Sequence, residues 1–154
     1  MSEDTRMQYV AVTRKEGRST LIEFPDCPGC QTFAEPREVA EDVARDALEG
    51  WLELHLEDGD APPRPSSRMK ARPGTRLLPI RVDPMLAVRL QIRWARQDAG
   101  LSQGALASRI GVTRQQVSLL ESRGSNLTVG TLRKIAEALG LQLDITMRGA
   151  RSRW

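Results

Sequence analysis

The sequence predicts an α+β protein: a small antiparallel sheet with one helix, linked to an all-α unit that ends in a strand. Three observations carry that prediction. Apolar and polar residues alternate up to about residue 24, then recur at helical spacing from residue 39. A Pro, Ser and Arg-rich stretch follows at 59–76. Beyond it, four short helical patterns lie between capping residues and glycines. The chain has 154 residues, 40% hydrophobic and 4% aromatic, so its core must come from Leu, Val, Ile and Ala. That length accommodates one compact domain or two very small ones and excludes a long enzyme.

Tyr9–Thr13 and Ser19–Phe24 read as strands of a hairpin around Gly17, and Gln31–Ala34 as a third strand after the loop Pro25-Asp-Cys-Pro-Gly-Cys30. Pro36 suits the first turn of a helix, where its missing N–H costs nothing. Val39, Ala40, Val43, Ala47, Leu48, Trp51 and Leu54 then define one apolar face up to about Leu56; Glu38, Glu41, Asp42, Asp46, Glu49 and Glu53 define an acidic one. These elements give a first module at residues 1–58, a linker at 59–76 and a second module at 77–154. In the second, Asp83 caps a helix with Pro84 at its first position, and Gly100 ends it. Ser102 caps a helix to Ile110, Thr113 one from Arg114 to Ser122, and Thr128 one from Val129 to Leu139; Gly111 and Gly140 stop the first and third of these. Leu141-Gln-Leu-Asp-Ile-Thr-Met147 alternates as a strand with one buried face.

Charge divides the same way. Residues 1–60 carry six Lys and Arg against fifteen Asp and Glu, a net of −9, and residues 61–154 carry seventeen against five, a net of +12. The basic half suits a polyanion and the acidic half a cationic partner. No run approaches the roughly 18 apolar residues of a membrane span, and the start lacks the apolar core of a targeting segment, so a cytoplasmic protein is expected. With only Cys27, Cys30 and His55, one chain assembles neither a four-cysteine nor a two-cysteine, two-histidine zinc site, and no disulfide framework. No metal and no cofactor are expected.

Two short helices around Gly111-Val112 have the spacing of a helix-turn-helix. Leu106, Ala107, Ile110, Val112, Val117 and Leu120 would lock them together, leaving the start of the second helix facing outward. There Arg114 and Gln115, with Gln116, suit base edges in a major groove, Arg toward guanine and Gln toward adenine. Thr113 at the helix start and Ser118 are placed for phosphate, Gln103 would fix the docking angle on a phosphate, and Arg109 and Arg123 would add backbone charge.

Residues 101–140, with Leu-Ser-Gln-Gly-Ala-Leu-Ala-Ser-Arg-Ile-Gly-Val-Thr-Arg-Gln-Gln-Val at their start, resemble the Xre/Cro-type helix-turn-helix repressors. That resemblance implies base contact by Arg114 and Gln115, support from Gln116 and Ser118, and phosphate anchoring by Gln103. Leu119 departs from it, standing where a polar contact residue is frequent, as do Gly104 and Ala105, where acidic residues are usual. Phe24-Pro-Asp-Cys-Pro-Gly-Cys-Gln-Thr before a helix ending Ala47-Leu-Glu-Gly-Trp-Leu is similar to the N-terminal domain of HicB-type antitoxins, with Cys27 replacing an apolar residue. The domain order resembles one HicB subgroup. It implies a partial ribonuclease-H-like first domain that sequesters a small basic ribonuclease, the HicA toxin, and a dimer that represses its own operon. The acidic first module agrees, because a toxin that grips RNA should be cationic. Glu23, Asp26, Glu41, Asp42 and Glu49 are its candidate toxin contacts.

Other chemistry fits less well. Cys27-Pro-Gly-Cys30 lacks the helix N-terminus of a thioredoxin-type motif, and its Pro-Gly suits a turn. Nuclease action needs converging carboxylates, yet the first strand has none and only Glu23 and Asp26 lie near the second strand's end, so no enzyme is expected. His55 reads as a helix-surface residue. The strand at 141–147 suits pairing with a second copy through Leu141, Leu143, Ile145 and Met147, with a dimer of dimers as the further assembly and the Arg-rich end at 148–153 near phosphates. The alternative function is a repressor whose first domain senses a small molecule. Separate modules imply that truncation after Asp60 leaves the first one working.

Overall fold

The computed structural model describes residues 7–66, 69–125 and 127–149. Strands β1 (Gln8–Glu16), β2 (Ser19–Glu23) and β3 (Gln31–Ala34) are followed by helix α1 (Ala40–Glu57) and strand β4 (Arg76–Arg81). Four helices complete the fold: α2 (Pro84–Asp98), α3 (Gln103–Ile110), α4 (Arg114–Arg123) and α5 (Val129–Leu139). The sheet order is β3-β2-β1-β4, every pair antiparallel. Gly17, with φ of 63°, occupies the positive-φ position that the tight turn between β1 and β2 requires.

One sheet face, carrying Tyr9, Ala11, Ile22 and Ile80, packs on Ala44, Leu48, Leu52 and Leu56 of α1. The buried stripe of α1 is therefore rotated from the expected one: Val39 and Leu54 face solvent, while Leu52 and Leu56 are fully buried. The helix also begins later than Pro36. Glu38 folds its carboxylate back onto the Glu35 amide at 2.8 Å, closing a separate turn, and the helix opens after Val39 without a side-chain cap.

The largest departure from expectation concerns 77–82. The sequence groups this segment with the helical module, but residues 77–81 of it, with Arg76 before them, form β4 and pair with β1 from Gln8↔Arg81 to Thr13↔Arg76. Pro79 is tolerated because β4 is the edge strand. Helix α2 then supplies Leu86, Ala87, Leu90 and Trp94 to the sheet's core and Ile92 to a second core built from Leu106, Ala107, Ile110, Val117, Leu120 and Ile135. A single helix thus belongs to both hydrophobic clusters.

The stretch between α1 and β4 is strapped down over 62–66. The buried Tyr9 hydroxyl donates to the Pro63 carbonyl at 2.6 Å and the Trp94 indole to the Pro62 carbonyl at 2.7 Å. Both polar tips need acceptors once buried, and the proline carbonyls supply them. Arg64 lies 5.5 Å over the Trp94 ring and pairs with Asp98, and the Ser66 amide donates to Asp26 at 2.7 Å. Burial, then the neighbouring Cys27 and Asp26, push the Tyr9 phenol well above its ordinary range.

The caps of α2, α3, α4 and α5 fall on Asp83, Ser102, Thr113 and Thr128, as the sequence predicts. The tail does not behave as expected: residues 141–147 pair with no strand, and Leu141, Leu143, Ile145 and Met147 are exposed. Alternation selects a strand only where the segment reaches a partner edge, and among the described residues 141–147 reach neither β3 nor β4.

Candidate nucleic-acid interface

Gly111, with φ of 74°, turns the chain between α3 and α4, and the Val112 amide returns to the Ala107 carbonyl at 3.0 Å. Thr113 and Gln116 then form a capping box: the Thr113 hydroxyl accepts the Gln116 amide at 3.1 Å, and the Gln116 side-chain oxygen accepts the Thr113 amide at 2.8 Å. Both side chains are exposed, but their oxygens are committed to the helix start. Arg114 and Gln115 project from that first turn into solvent, with Leu119 37% exposed on the same helix. Ser118 is half-buried and Arg123 is exposed in the last turn.

Gln103 and Arg114 come together. With Ser102, Gly104 and Arg96 they line an open hollow of ≈ 500 Å³ between the starts of α3 and α4. The first amides of α3 and the Arg114 guanidinium both favour an anion there. Gln103 is not free to swing, since its amide donates to Glu121 at 3.1 Å. Arg109 is exposed and donates to the Ala138 carbonyl at 3.3 Å, completing the C-terminal turn of α5.

Glu121 is a residue that sequence reasoning missed. It lies on α4, has no exposed surface, and its carboxylate receives Arg93 Nε at 2.7 Å, Arg96 Nε at 2.5 Å, Arg96 Nη2 at 3.1 Å and the Gln103 amide. Arg93 continues to the carbonyls of Leu56 in the last turn of α1 and of Asp60 just beyond it, and Arg96 to that of Leu101. Arg89 holds Glu53 of α1 through two bonds of 2.8 Å and donates to the carbonyls of Glu121 and Ser122. Among the described residues no buried side-chain nitrogen or oxygen lacks a partner. A signal was present: Arg89, Arg93 and Arg96 share one face of α2, and Glu121 follows Val117 and Leu120 at buried spacing.

Two family models match the chain: one described as a HicB-like antitoxin of bacterial toxin-antitoxin systems over residues 9–74, and a helix-turn-helix model over 92–145. Antitoxin HicB 1 of Photorhabdus laumondii subsp. laumondii is 30% identical over 142 residues, covering 92% of this chain and 87% of that protein. The chain belongs to the HicB antitoxin family. Antitoxin HicB 2 of the same organism is 24% identical over 139 residues, covering 90% of this chain and 95% of that one. A HicA3 and HicB3 toxin-antitoxin complex is a structural likeness at 23% identity and a TM-score of 0.42, covering 51% of this chain and 100% of that one.

In this HicB chain the acidic candidates divide into two groups. Asp26 accepts the Ser66 amide and Glu49 accepts the Asp83 amide at 3.0 Å, so both carry internal bonds. Glu41 and Asp42 are exposed and share Arg45, at 2.9 and 3.4 Å. Glu23 is half-buried at the end of β2, opposite Val12 and Gln31. Cys27 and Cys30 are buried free thiols; burial first, with Cys30 and Asp26 beside it, pushes Cys27 up to about 12, and burial pushes Cys30 up to about 11. Thiols so far from ionisation suit packing rather than redox chemistry. His55 is half-buried, stacked on Trp51 with ring centroids 3.8 Å apart. Among the described residues no helix is long and apolar enough to cross a membrane, and no cluster of three or more metal-ligating side chains occurs.

Proposed function

We propose that this HicB chain docks α4 in the major groove of operator DNA, represses its own operon and blocks a small basic ribonuclease toxin with its sheet and α1. The observation that carries the DNA reading is the outward presentation of Arg114 and Gln115 from a capped helix start, beside the hollow shared by Gln103 and Arg114. A base-reading helix needs that combination: side chains free to reach base edges and an anion site that sets the approach. Thr113 and Gln116 serve the interface by holding that first turn; Ser118, Arg109 and Arg123 add backbone contacts.

The toxin reading rests on family membership and on the acidic side chains Glu41, Asp42 and Asp46 exposed on α1. An acidic surface steers a cationic partner and competes with RNA for it. Glu23, Asp26 and Glu49 contribute at the margin of that surface. Two copies associate through Leu141, Leu143, Ile145 and Met147, three of which border an open hollow of ≈ 800 Å³ against α2 and α5. No catalytic step is assigned to any residue.

The test is binding of purified protein to its own upstream DNA and co-purification with the product of a small adjacent gene. Preference for that DNA over scrambled duplex, and a stoichiometric companion of under about 10 kDa, are expected. Indifference to both overturns the reading.

A further inference from the structure

We propose that Glu53, on the acidic helix α1, is a positioning residue for DNA recognition, acting through Arg89 on the C-terminal end of α4. The proposal rests on the operator reading above and names a residue of the other module on which that reading depends.

Arg89 is nearly buried, its side chain 6% exposed, and each of its guanidinium nitrogens is used. Nη1 and Nη2 donate to the two Glu53 oxygens at 2.8 Å each, Nε donates to the Glu121 carbonyl at 3.2 Å, and Nη2 also donates to the Ser122 carbonyl. Those carbonyls belong to the last turn of α4, which has no intrahelical donors for them. A cation at that end also complements the helix dipole. The planar fork transmits orientation: a bidentate carboxylate on one edge fixes the plane in which the other edge meets α4. Gly124 caps α4 with φ of 68°, and a Cβ there would stand 3.2 Å from Arg89 Cδ, so the chain leaves room at this point for the arginine.

Geometry makes that hold matter at the other end of the helix. Ten residues span about 15 Å, so a tilt of about 10° at the C-terminal hold moves Arg114 and Gln115 by between about 2 and 3 Å. Bidentate base contacts do not survive such a displacement, whereas contacts to an evenly charged backbone do. Glu53 retains 42% side-chain exposure and sits on the acidic face, yet its carboxylate is spent on the DNA-binding unit.

The experiment uses full-length Glu53→Gln and Glu53→Asp, binding to the upstream DNA and to a scrambled duplex at matched salt, and amide exchange. Glu53→Gln should lower affinity for the upstream DNA about tenfold, with unchanged affinity for scrambled duplex and an unchanged salt slope, because no phosphate contact is lost. Glu53→Asp, which keeps the charge, should recover part of the loss. Exchange should accelerate at the Gly124 and Ser125 amides, which bond the Leu120 and Leu119 carbonyls, and stay unchanged at Leu106 in α3. Equal loss on both duplexes, or unchanged affinity with unchanged exchange, overturns the proposal. Wild-type protein that cannot tell the duplexes apart fails the operator reading; wild type that can, beside an equally discriminating Glu53→Gln, fails only this inference.

Discussion

The sheet module and the helical module meet α2 on two faces, and the two seams differ in kind. Toward the sheet, α2 offers Leu86, Leu90 and Trp94 to an apolar core. Toward α4 it offers Arg89, Arg93 and Arg96 to a buried carboxylate and to main-chain carbonyls. Apolar contact is non-directional and tolerates small rotations, whereas charge-assisted hydrogen bonds fix distance and angle. The contrast teaches that the sheet is closed by α2 while α4 is held in a fixed orientation by it. The first seam supplies apolar burial and the second directional bonds.

The comparison can be broken at several points, the most severe being truncation after Asp60. That fragment lacks β4 and all of α2, so Tyr9, Ile22, Leu52 and Leu56 lose part of their cover. It should be unfolded by circular dichroism and fail to protect cells; a folded, protective fragment would show that the sheet stands alone, as the sequence suggested. Glu121→Ala comes next. It strands Arg93 and Arg96 without their carboxylate and should cost about 3–5 kcal/mol by denaturant unfolding. A loss under about 1 kcal/mol would mean that the ionic seam is incidental.

Arg114→Ala tests the pointing without touching either seam. It should weaken upstream DNA binding by about 1–3 kcal/mol while stability changes by less than about 0.5 kcal/mol. In the unsubstituted protein, affinity should fall steeply between about 50 and 200 mM salt, and a flat response would remove phosphate anchoring from the account. Thr113→Ala removes one half of the capping box, and a loss of about 1 kcal/mol in stability is expected. The smallest effect at neutral pH concerns Cys27, Cys30 and Tyr9. All three hold their protons more tightly when folded, so the unfolded chain ionises first as pH rises past the ordinary thiol value of 9.0. The contribution of these three groups to stability should be flat below that value and decline from there toward about 12. Rapid thiol labelling of folded protein at pH 8 would contradict this burial.

Much of the helical unit was legible because its signals are local. Asp83 with Pro84, Ser102, Thr113 and Thr128 each mark a helix start through bonds to amides two or three residues away, and Gly111 and Gly140 mark ends through positive φ. Arg114 and Gln115 were readable for the same reason: a capped start following an apolar lock leaves its first turn outside. Gln116 has a second use that composition does not disclose: a side chain able to read adenine is also able to complete a capping box, and here its oxygen accepts the Thr113 amide.

Partners remote in sequence were not legible in this way. Residues 77–82 are a short apolar segment that no local signal assigns, and only the edge offered by β1 makes most of it a strand of the first module. The same holds in reverse at 141–147, where the alternating pattern is present but the described segment pairs with no strand. The Pro-rich stretch reads as a tether because its composition forms no core; the buried tips of Tyr9 and Trp94 hold down Pro62 and Pro63.

By itself the sequence determined the three N-terminal strands and the helix after them, the capped helix pair that carries Arg114 and Gln115, and the separation of negative and positive charge along the chain. All of these depend on neighbours within a few residues or on simple counts. Only the tertiary structure decided that β4 and α2 close the sheet, that Glu121 lies buried among arginines, and that Glu53 faces α4 through Arg89. Those outcomes depend on which distant groups must share desolvated space, where a buried charge persists only beside its counter-charge.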